Sequence, residues 1–427
     1  MLNGSPRRVA IVGSCRIPFA RSNTIYSDLN NAAMLTDTLK GLVKKFQLEN
    51  VKLGEVVGGA VQKHSFNWNL VRECVLGSGL HPHTPAYDIQ QACGTGLEAT
   101  ILVANKIALG QIDSGIACGT DSVSDIPIHV NKALQRGLLK ANAAKTTKDK
   151  LISSLKILKP SNFIPQFPAK GEPRTGLSMG EHAQITAKRF NISRRDQDYL
   201  AFISHQNLEK AYNSGFFDDL IIPYHGLTKD NNLRSNITLE KMASLSPAFD
   251  HKEGTITAAN STPFTDGASA VLLASEEWAK ARNLPILAYI TAGEVAAVDY
   301  IDEREGLLMA GAYAIPRMLK KCNLSLQDFD FYEIHEAFAA VVLCTLAALE
   351  SDDYAREKLG LEKGLGKIDY SKLNVKGGSI ATGHPFAATG GRIVGTLAKI
   401  LDENKGGRGL ISICAAGGQA VTAILEK

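Results

Sequence analysis

The sequence predicts an α/β fold of two similar halves with a loop domain inserted between them, and three observations carry that expectation. Short apolar strands alternate with amphipathic helical stretches. The last third of the chain repeats the layout of the first. Between the two, residues 127–250 change in character and become rich in Lys, Asn, Ser and Pro. At 427 residues the chain is also too long for one ordinary core. The boundaries that follow are 1–126 for the N-terminal half, completed by about 251–280, then 127–250 for the loop or lid domain and 281–427 for the C-terminal half.

The elements follow in order. Arg8 to Gly13 reads as a strand and Asp28 to Phe46 as a helical pattern. A strand at Glu55 to Val61 and a helix around Asn69 to Leu76 come next. A buried strand, Ala86 to Gln90, leads through Ala92-Cys-Gly-Thr-Gly96 into a helical run from Leu97 to Leu109, and Ile116 to Cys118 closes the set. In the insertion, Ser193-Arg-Arg-Asp196 has the spacing of a helix N-cap, and an amphipathic pattern runs on through Ala211.

The second half repeats the plan. Strand Ile286 to Ala292 precedes helix Leu307 to Cys322, and strand Phe329 to Ile334 precedes a helix from about Glu336 to Leu349. After the turn at Gly377-Gly378, Gly383-His-Pro-Phe-Ala-Ala-Thr-Gly390 opens a helix over Gly391 to Leu401. Strand Leu410 to Ile413 ends at Cys414-Ala-Ala-Gly-Gly418. In each half a small-residue turn bearing a reactive side chain, Cys93 or His384, opens a helix. In each, a short strand then ends in a cysteine and glycines, at Cys118-Gly119 or at Cys414 to Gly417. Such internal repetition is read as a duplicated unit.

Composition sets limits. An apolar content of 44% with 21% charged residues is that of a soluble globular protein. A net charge of +4 is no nucleic-acid signature at this size, although it suits an anionic ligand. No run approaches the roughly 20 apolar residues that span a bilayer. The opening Met1 to Arg8 runs into a short apolar strand without a small-residue cleavage site, so no signal peptide is expected. Seven scattered cysteines lack any Cys-x-x-Cys pair, which implies free thiols, a reducing compartment such as the cytoplasm, and no structural metal.

Four residues invite chemistry. Cys93 lies between a predicted strand and a predicted helix, where exposed N–H groups and the helix dipole stabilise a thiolate. His384, before Pro385 at a helix start, could act as a base. Cys414 ends one strand, and His335 ends another, where ligands collect in α/β sheets. Each alone has an ordinary explanation as a buried thiol, a helix cap or a backbone-satisfied histidine. Together they place a nucleophile, a base, a second thiol and an oxygen-polarising histidine at strand ends and helix starts of both halves.

Seven stretches then resemble the thiolase family, in order and over nearly the whole chain. They are Gln91-Ala-Cys-Gly-Thr-Gly96, Ser178-Met-Gly-Glu-His182, Ile192-Ser-Arg-Arg-Asp-Gln197, Gly254-Thr-Ile-Thr-Ala-Ala-Asn260, His335-Glu-Ala-Phe338, Gly383 to Gly390 and Cys414-Ala-Ala-Gly-Gly-Gln419. The resemblance implies a thiolase fold layered α–β–α–β–α and a 3-ketoacyl-CoA thiolase of fatty-acid β-oxidation. It implies Cys93 as the acylated nucleophile, His384 as its base, Cys414 as the second acid/base and His335 as holder of an oxyanion water. The Ala416 backbone N–H would complete the oxyanion site, and Met179, Asn260, Thr262 and Phe338 would contact substrate or CoA. CoA is a co-substrate, and no cofactor or metal is implied. The His-Glu-Ala-Phe variant is similar to β-subunits of fatty-acid-oxidation multienzyme complexes, which implies a homodimer working beside a hydratase/dehydrogenase α-subunit.

Two departures stand out. Ala416 sits where many thiolases have Cys-x-Gly, and Thr262-Pro263 where many have Ser-Gly, which alters pantetheine contacts. Between Lys132 and Lys159, Asp149 is the only acid among several Lys and Arg interleaved with Leu and Ile. That segment suits a solvated mobile loop, or contact with CoA phosphates, an anionic membrane surface or a partner subunit. Rival readings are a ketoacyl synthase, which would need a second catalytic histidine in place of Cys414, a biosynthetic acetyl-CoA acetyltransferase, and a non-catalytic acyl-CoA-binding scaffold.

Overall fold

The structure is a computed structural model and describes residues 6–301 and 305–427. Residues 1–5, on which part of the leader reading rests, lie outside the described residues. The first stretch holds β1 (Val9–Arg16), β2 (Ala20–Arg21), α1 (Asn31–Lys45), β3 (Glu55–Gly58), α2 (Leu70–Gly77), β4 (Ala86–Asp88), α3 (Thr95–Ala108) and β5 (Ser114–Asp121). Five helices follow: α4 (Lys132–Ala143), α5 (Thr147–Ile157), α6 (Met179–Arg189), α7 (Arg194–Asn213) and α8 (Leu239–Ala243). Then come β6 (Thr265–Ser275), α9 (Glu276–Ala281), β7 (Ala288–Ala297), α10 (Gly311–Cys322), β8 (Phe331–Ile334) and α11 (Ala339–Glu350). The chain ends with α12 (Asp352–Tyr354), α13 (Ser379–Thr382), α14 (Ala388–Glu403), β9 (Arg408–Ala415) and β10 (Gln419–Glu426).

Local chemistry explains the helix starts. Asn30 accepts the Ala33 N–H to cap α1, Ser178 and Glu181 form a reciprocal capping box on α6, and Ser193 caps α7 as its spacing predicts. The basic segment is not a loop. Asn131 and Thr146 cap α4 and α5, and Gly137 lets Ile157 pack close enough to form a helical hairpin. Helix α11 starts at Ala339 rather than near Glu336, because Phe338 is extended and bridges Ser261, with the Thr262 N–H donating to the Ala337 carbonyl and the Ala339 N–H to the Asn260 carbonyl.

The strands run β4-β3-β5-β6-β1-β7-β10-β9-β8, with β2 on β6. The two half-sheets meet only where β1 touches β7, at Ala10–Tyr289 and Ile11–Ala288. Duplication is visible in the pairing. β3 lies parallel to β5, which runs antiparallel to β6, which runs antiparallel to β1. Likewise β8 lies parallel to β9, which runs antiparallel to β10, which runs antiparallel to β7. Even β4 has a counterpart, the parallel bridge from Leu373 to Tyr332.

Apolar packing builds the layers. Met34, Leu35, Leu39 and Leu42 of α1 cover one face of the first half-sheet. Ile315 and Leu319 of α10, with Val342 and Leu346 of α11, cover the outer face of the second. Leu97, Ala99 and Val103 of α3 share the middle layer with Ile393, Val394 and Leu397 of α14, between Val271 and Leu273 of β6 and Ile411 and Ile413 of β9. Each fully buried Leu, Ile, Val or Met side chain among them contributes about 1.5–3 kcal/mol. The order is α–β–α–β–α, as the resemblance implies.

Helices α3 and α14 meet through glycine. A Cβ on Gly96 would stand 2.6 Å from the Ala387 carbonyl oxygen, and one on Gly390 would clash with the backbone of Gly96 and Leu97. A Cβ on Gly119 would overlap the Ala387 carbonyl as well. These are backbone obstacles, which cannot swing aside as a side chain would. Gly390→Ala is therefore expected to destabilise the fold by about 1–3 kcal/mol, read as a lowered denaturation midpoint, and to cut turnover by parting the helix starts. An unchanged midpoint and rate would show that the contact is slack.

Candidate active site

Cys93 stands on a tight turn between β4 and α3. Ala92 before it is held at φ +47°, a left-handed conformation that costs a non-glycine residue roughly 1–2 kcal/mol. Thr95 stabilises the turn: its Oγ1 donates to the Ala92 carbonyl at 2.7 Å and accepts the Gln91 N–H at 2.9 Å. The result is a half-buried thiol at the start of α3.

His384 comes from the matching turn of the other half. Its backbone N–H donates to Thr265 Oγ1 of β6 at 2.7 Å, Nδ1 lies 2.6 Å from Thr389 Oγ1, and Nε2 lies 3.1 Å from Cys93 Sγ. Burial, and after it the nearby Arg392 charge, depresses the imidazole to about 3. The ring is therefore neutral near pH 7 and able to accept a proton.

One expectation is corrected here. The helix start was expected to stabilise a Cys93 thiolate, yet burial dominates and pushes the thiol up to about 12. The N–H groups of Ala416 and of Cys93 itself point at the sulfur and offset only part of that rise. The resting pair is a neutral thiol on a neutral imidazole, an arrangement in which the ring can accept the thiol proton.

Cys414 is the last but one residue of β9, buried beside Met179 and Phe338 among Ala183, Leu308 and Val341. Burial first, then the adjacent Cys93, holds its thiol neutral. Cys118, on the equivalent strand β5, is fully buried in the first-half core instead. His335 follows β8, with its ring centroid 4.2 Å from that of His384 and Nδ1 2.8 Å from Ser379 Oγ. Burial and the neighbouring His384 and Arg392 also keep His335 uncharged. Sγ of Cys93 and one nitrogen from each of these histidines lie within 4.8 Å of one another, a spacing that metal ligands also adopt. The cluster gathers all four residues singled out for chemistry, with Ala416 at its rim.

The expected substrate contacts divide. Met179 and Phe338 form an apolar wall against Cys414. Asn260 is fully buried, with its amide donating to Asp198 Oδ1 at 2.8 Å and the Thr255 carbonyl at 3.1 Å, so it holds its loop and presents no free donor. Thr262 donates through both N–H and Oγ1 to the Ala337 carbonyl. Residues that sequence reasoning missed include Thr265, Thr389 and Ser379, and also Glu172 of the insertion. Glu172 accepts the Gly417 N–H at 2.8 Å and the Tyr300 hydroxyl at 3.1 Å, thereby bracing the loop that carries Ala416. No spacing rule marks a carboxylate so far away in the chain.

Known proteins share this arrangement. Residues 9–277 match the family model for the thiolase N-terminal domain and residues 284–427 that for the thiolase C-terminal domain. A 3-ketoacyl-CoA thiolase of Yersinia pestis is 42% identical over 427 residues, covering 98% of this chain and 97% of the relative. One from Shewanella sediminis is 41% identical over 430 residues, covering 99% and 98%. Among solved structures, the human mitochondrial 3-ketoacyl-CoA thiolase superposes with a TM-score of 0.80 at 28% identity, covering 99% of each chain. A Bacillus anthracis acetyl-CoA acetyltransferase gives 0.78 at 28% identity and the same coverage. With both family domains matched across nearly its whole length, the chain belongs to the thiolase family and is an acyltransferase.

Proposed function

We propose that the protein is a 3-ketoacyl-CoA thiolase of fatty-acid β-oxidation, working by ping-pong transfer through Cys93 with CoA as co-substrate and no other cofactor. The observation that carries the reading is the 3.1 Å contact between His384 Nε2 and Cys93 Sγ, with the Ala416 N–H facing the same sulfur.

His384 takes the thiol proton as Sγ attacks the 3-keto carbon. The resulting oxyanion meets the N–H groups of Cys93 and Ala416, donors that typically contribute about 3–4 kcal/mol each. The C2–C3 bond then breaks, leaving an acyl thioester on Cys93 and the enolate of acetyl-CoA. His384 and a water on His335 receive the enolate oxygen, and Cys414 protonates C2. In the second half, Cys414 removes the proton of incoming CoA, whose thiolate takes the acyl group. The Cys93 thiolate leaves and recovers its proton from His384.

The paired thiols favour an enzyme over a scaffold, because a pure binder has no use for a nucleophile with its base in place. Condensation of acetyl-CoA is the same chemistry reversed, and concentrations set the direction. Seven free cysteines are consistent with a reducing cytoplasm. We infer further that the chain works as a homodimer beside a hydratase/dehydrogenase α-subunit. The α4–α5 hairpin, with Leu138, Leu139, Leu151 and Leu155 exposed among lysines, supports contact with that subunit or with an anionic membrane.

Two outcomes test the assignment. Cys93→Ser is expected to lower CoA-dependent loss of 3-ketoacyl-CoA on the order of 10³-fold or more, and equal turnover by both proteins would refute the Cys93 mechanism. The depressed His384 also predicts the pH profile. Because the free-enzyme base is uncharged well below the ordinary histidine value of about 6.5, kcat/KM should show no acid limb centred there between about pH 5.5 and 8. A limb at the ordinary value would mean that His384 is not shielded as described.

A further inference from the structure

His335 is only 2% exposed, its ring centroid lies 4.2 Å from that of His384, and its Nε2 has no hydrogen-bond partner among the described residues. A buried polar atom that no protein group satisfies takes a water or a substrate atom as its partner. Which role Nε2 plays depends on its proton, and the other side of the ring decides that.

Nδ1 of His335 lies 2.8 Å from Ser379 Oγ. Ser379 is fully buried, and the same Oγ receives an N–H from Arg392 Nη2 at 2.9 Å. A guanidinium only donates, so Ser379 accepts from Arg392. The Ser379 hydroxyl hydrogen then has His335 Nδ1 as its acceptor, and these two are the side-chain bonds that Ser379 Oγ makes among the described residues. Reversing the bond to His335 would leave that hydrogen buried without an acceptor, at a cost of about 1–3 kcal/mol.

We propose that Arg392 and Ser379 form a relay that locks His335 in the Nε2–H tautomer, so that it presents a hydrogen-bond donor to the water that meets the oxygen becoming negative in the reaction. The inference rests on the catalytic reading above. His384 is held in the opposite tautomer: to accept the Cys93 proton at Nε2 it carries hydrogen on Nδ1, which donates to Thr389 Oγ1. Two imidazoles 4.2 Å apart thus perform complementary tasks, one accepting a proton and the other stabilising an oxyanion. The positive charge of Arg392 polarises the Ser379 hydroxyl and strengthens its donation. Ser379 and Arg392 are positioning residues, since neither faces the reacting atoms.

The relay also explains how a Cys-His-His cluster with metal-like spacing can stay free for catalysis. In the Nε2–H tautomer, Nε2 carries hydrogen and Nδ1 accepts from Ser379, so neither nitrogen has a free lone pair and an ion would find only two of the three ligands. Breaking the relay would restore the third.

The test combines ring 15N shifts with kinetics. In the wild type, the His335 15N pattern should show Nε2 protonated and Nδ1 bare, and a protonated Nδ1 would overturn the proposal. Ser379→Ala should lower kcat about 10–100-fold with little change in KM, and Zn2+ should inhibit it at least about tenfold more tightly. Ser379→Thr should keep wild-type values for both. A Ser379→Ala enzyme with wild-type kcat and zinc sensitivity would also overturn it. Failure of the catalytic reading looks different: Cys93→Ser would then turn over normally, whatever the tautomer of His335. If Ser379→Ala does not fold, the wild-type 15N spectrum alone decides.

Discussion

The close approach of two helix starts is the constraint on which the rest of this structure depends. Cys93 and His384 are 291 positions apart in the chain, yet they meet at 3.1 Å because α3 and α14 touch backbone to backbone at Gly96 and Gly390. Everything around them keeps that contact in register. The middle layer of leucine, isoleucine and valine presses the two helices between half-sheets. Asp121 of β5 accepts the Ala387 N–H at 2.8 Å and so ties the His384 turn to the opposite half. Thr265 does the same from β6. Duplication supplies two equivalent turns, and the glycines bring them face to face.

Burial makes the site electrically quiet at rest. Desolvation disfavours the charged form of each group, raising both thiols and lowering both imidazoles. On the proposed mechanism charge develops only during reaction, where fixed N–H dipoles and the His335 ring would already be in place to meet it. Such burial strengthens each of those contacts compared with bulk water. The insertion contributes through Glu172, which orders the Gly417 backbone and with it the adjacent Ala416, the proposed oxyanion donor. It is thus joined to the loop beside the site rather than separate from it.

The architecture was largely legible because its halves alternate clear strand and helix patterns, and the four reactive residues sat at strand ends and helix starts. Strands β6 and β10 went unlabelled. Both lie in the interior of the sheet, and all of β6 is buried, so no alternation marks them. The Cys93 electrostatics were misjudged because a helix dipole can be read from a turn motif, whereas desolvation depends on packing from distant segments. The supporting residues Ser379 and Glu172 were hidden for the same reason, since each acts through a long-range bond, whereas Thr389 lies within the His384 motif and its bond depends on how that turn folds. Asn260 shows the converse: its motif is visible in the sequence, but its amide turns inward to Asp198 and Thr255.

The central claim is that the acyl group passes through Cys93. Mixing the protein with a 3-ketoacyl-CoA in the absence of CoA, quenching in acid and weighing its peptides tests this most directly. The account predicts a mass increase equal to the shortened acyl group on the peptide that holds Cys93, removed when CoA is added. An unmodified Cys93 peptide accompanied by continued release of acetyl-CoA would contradict it.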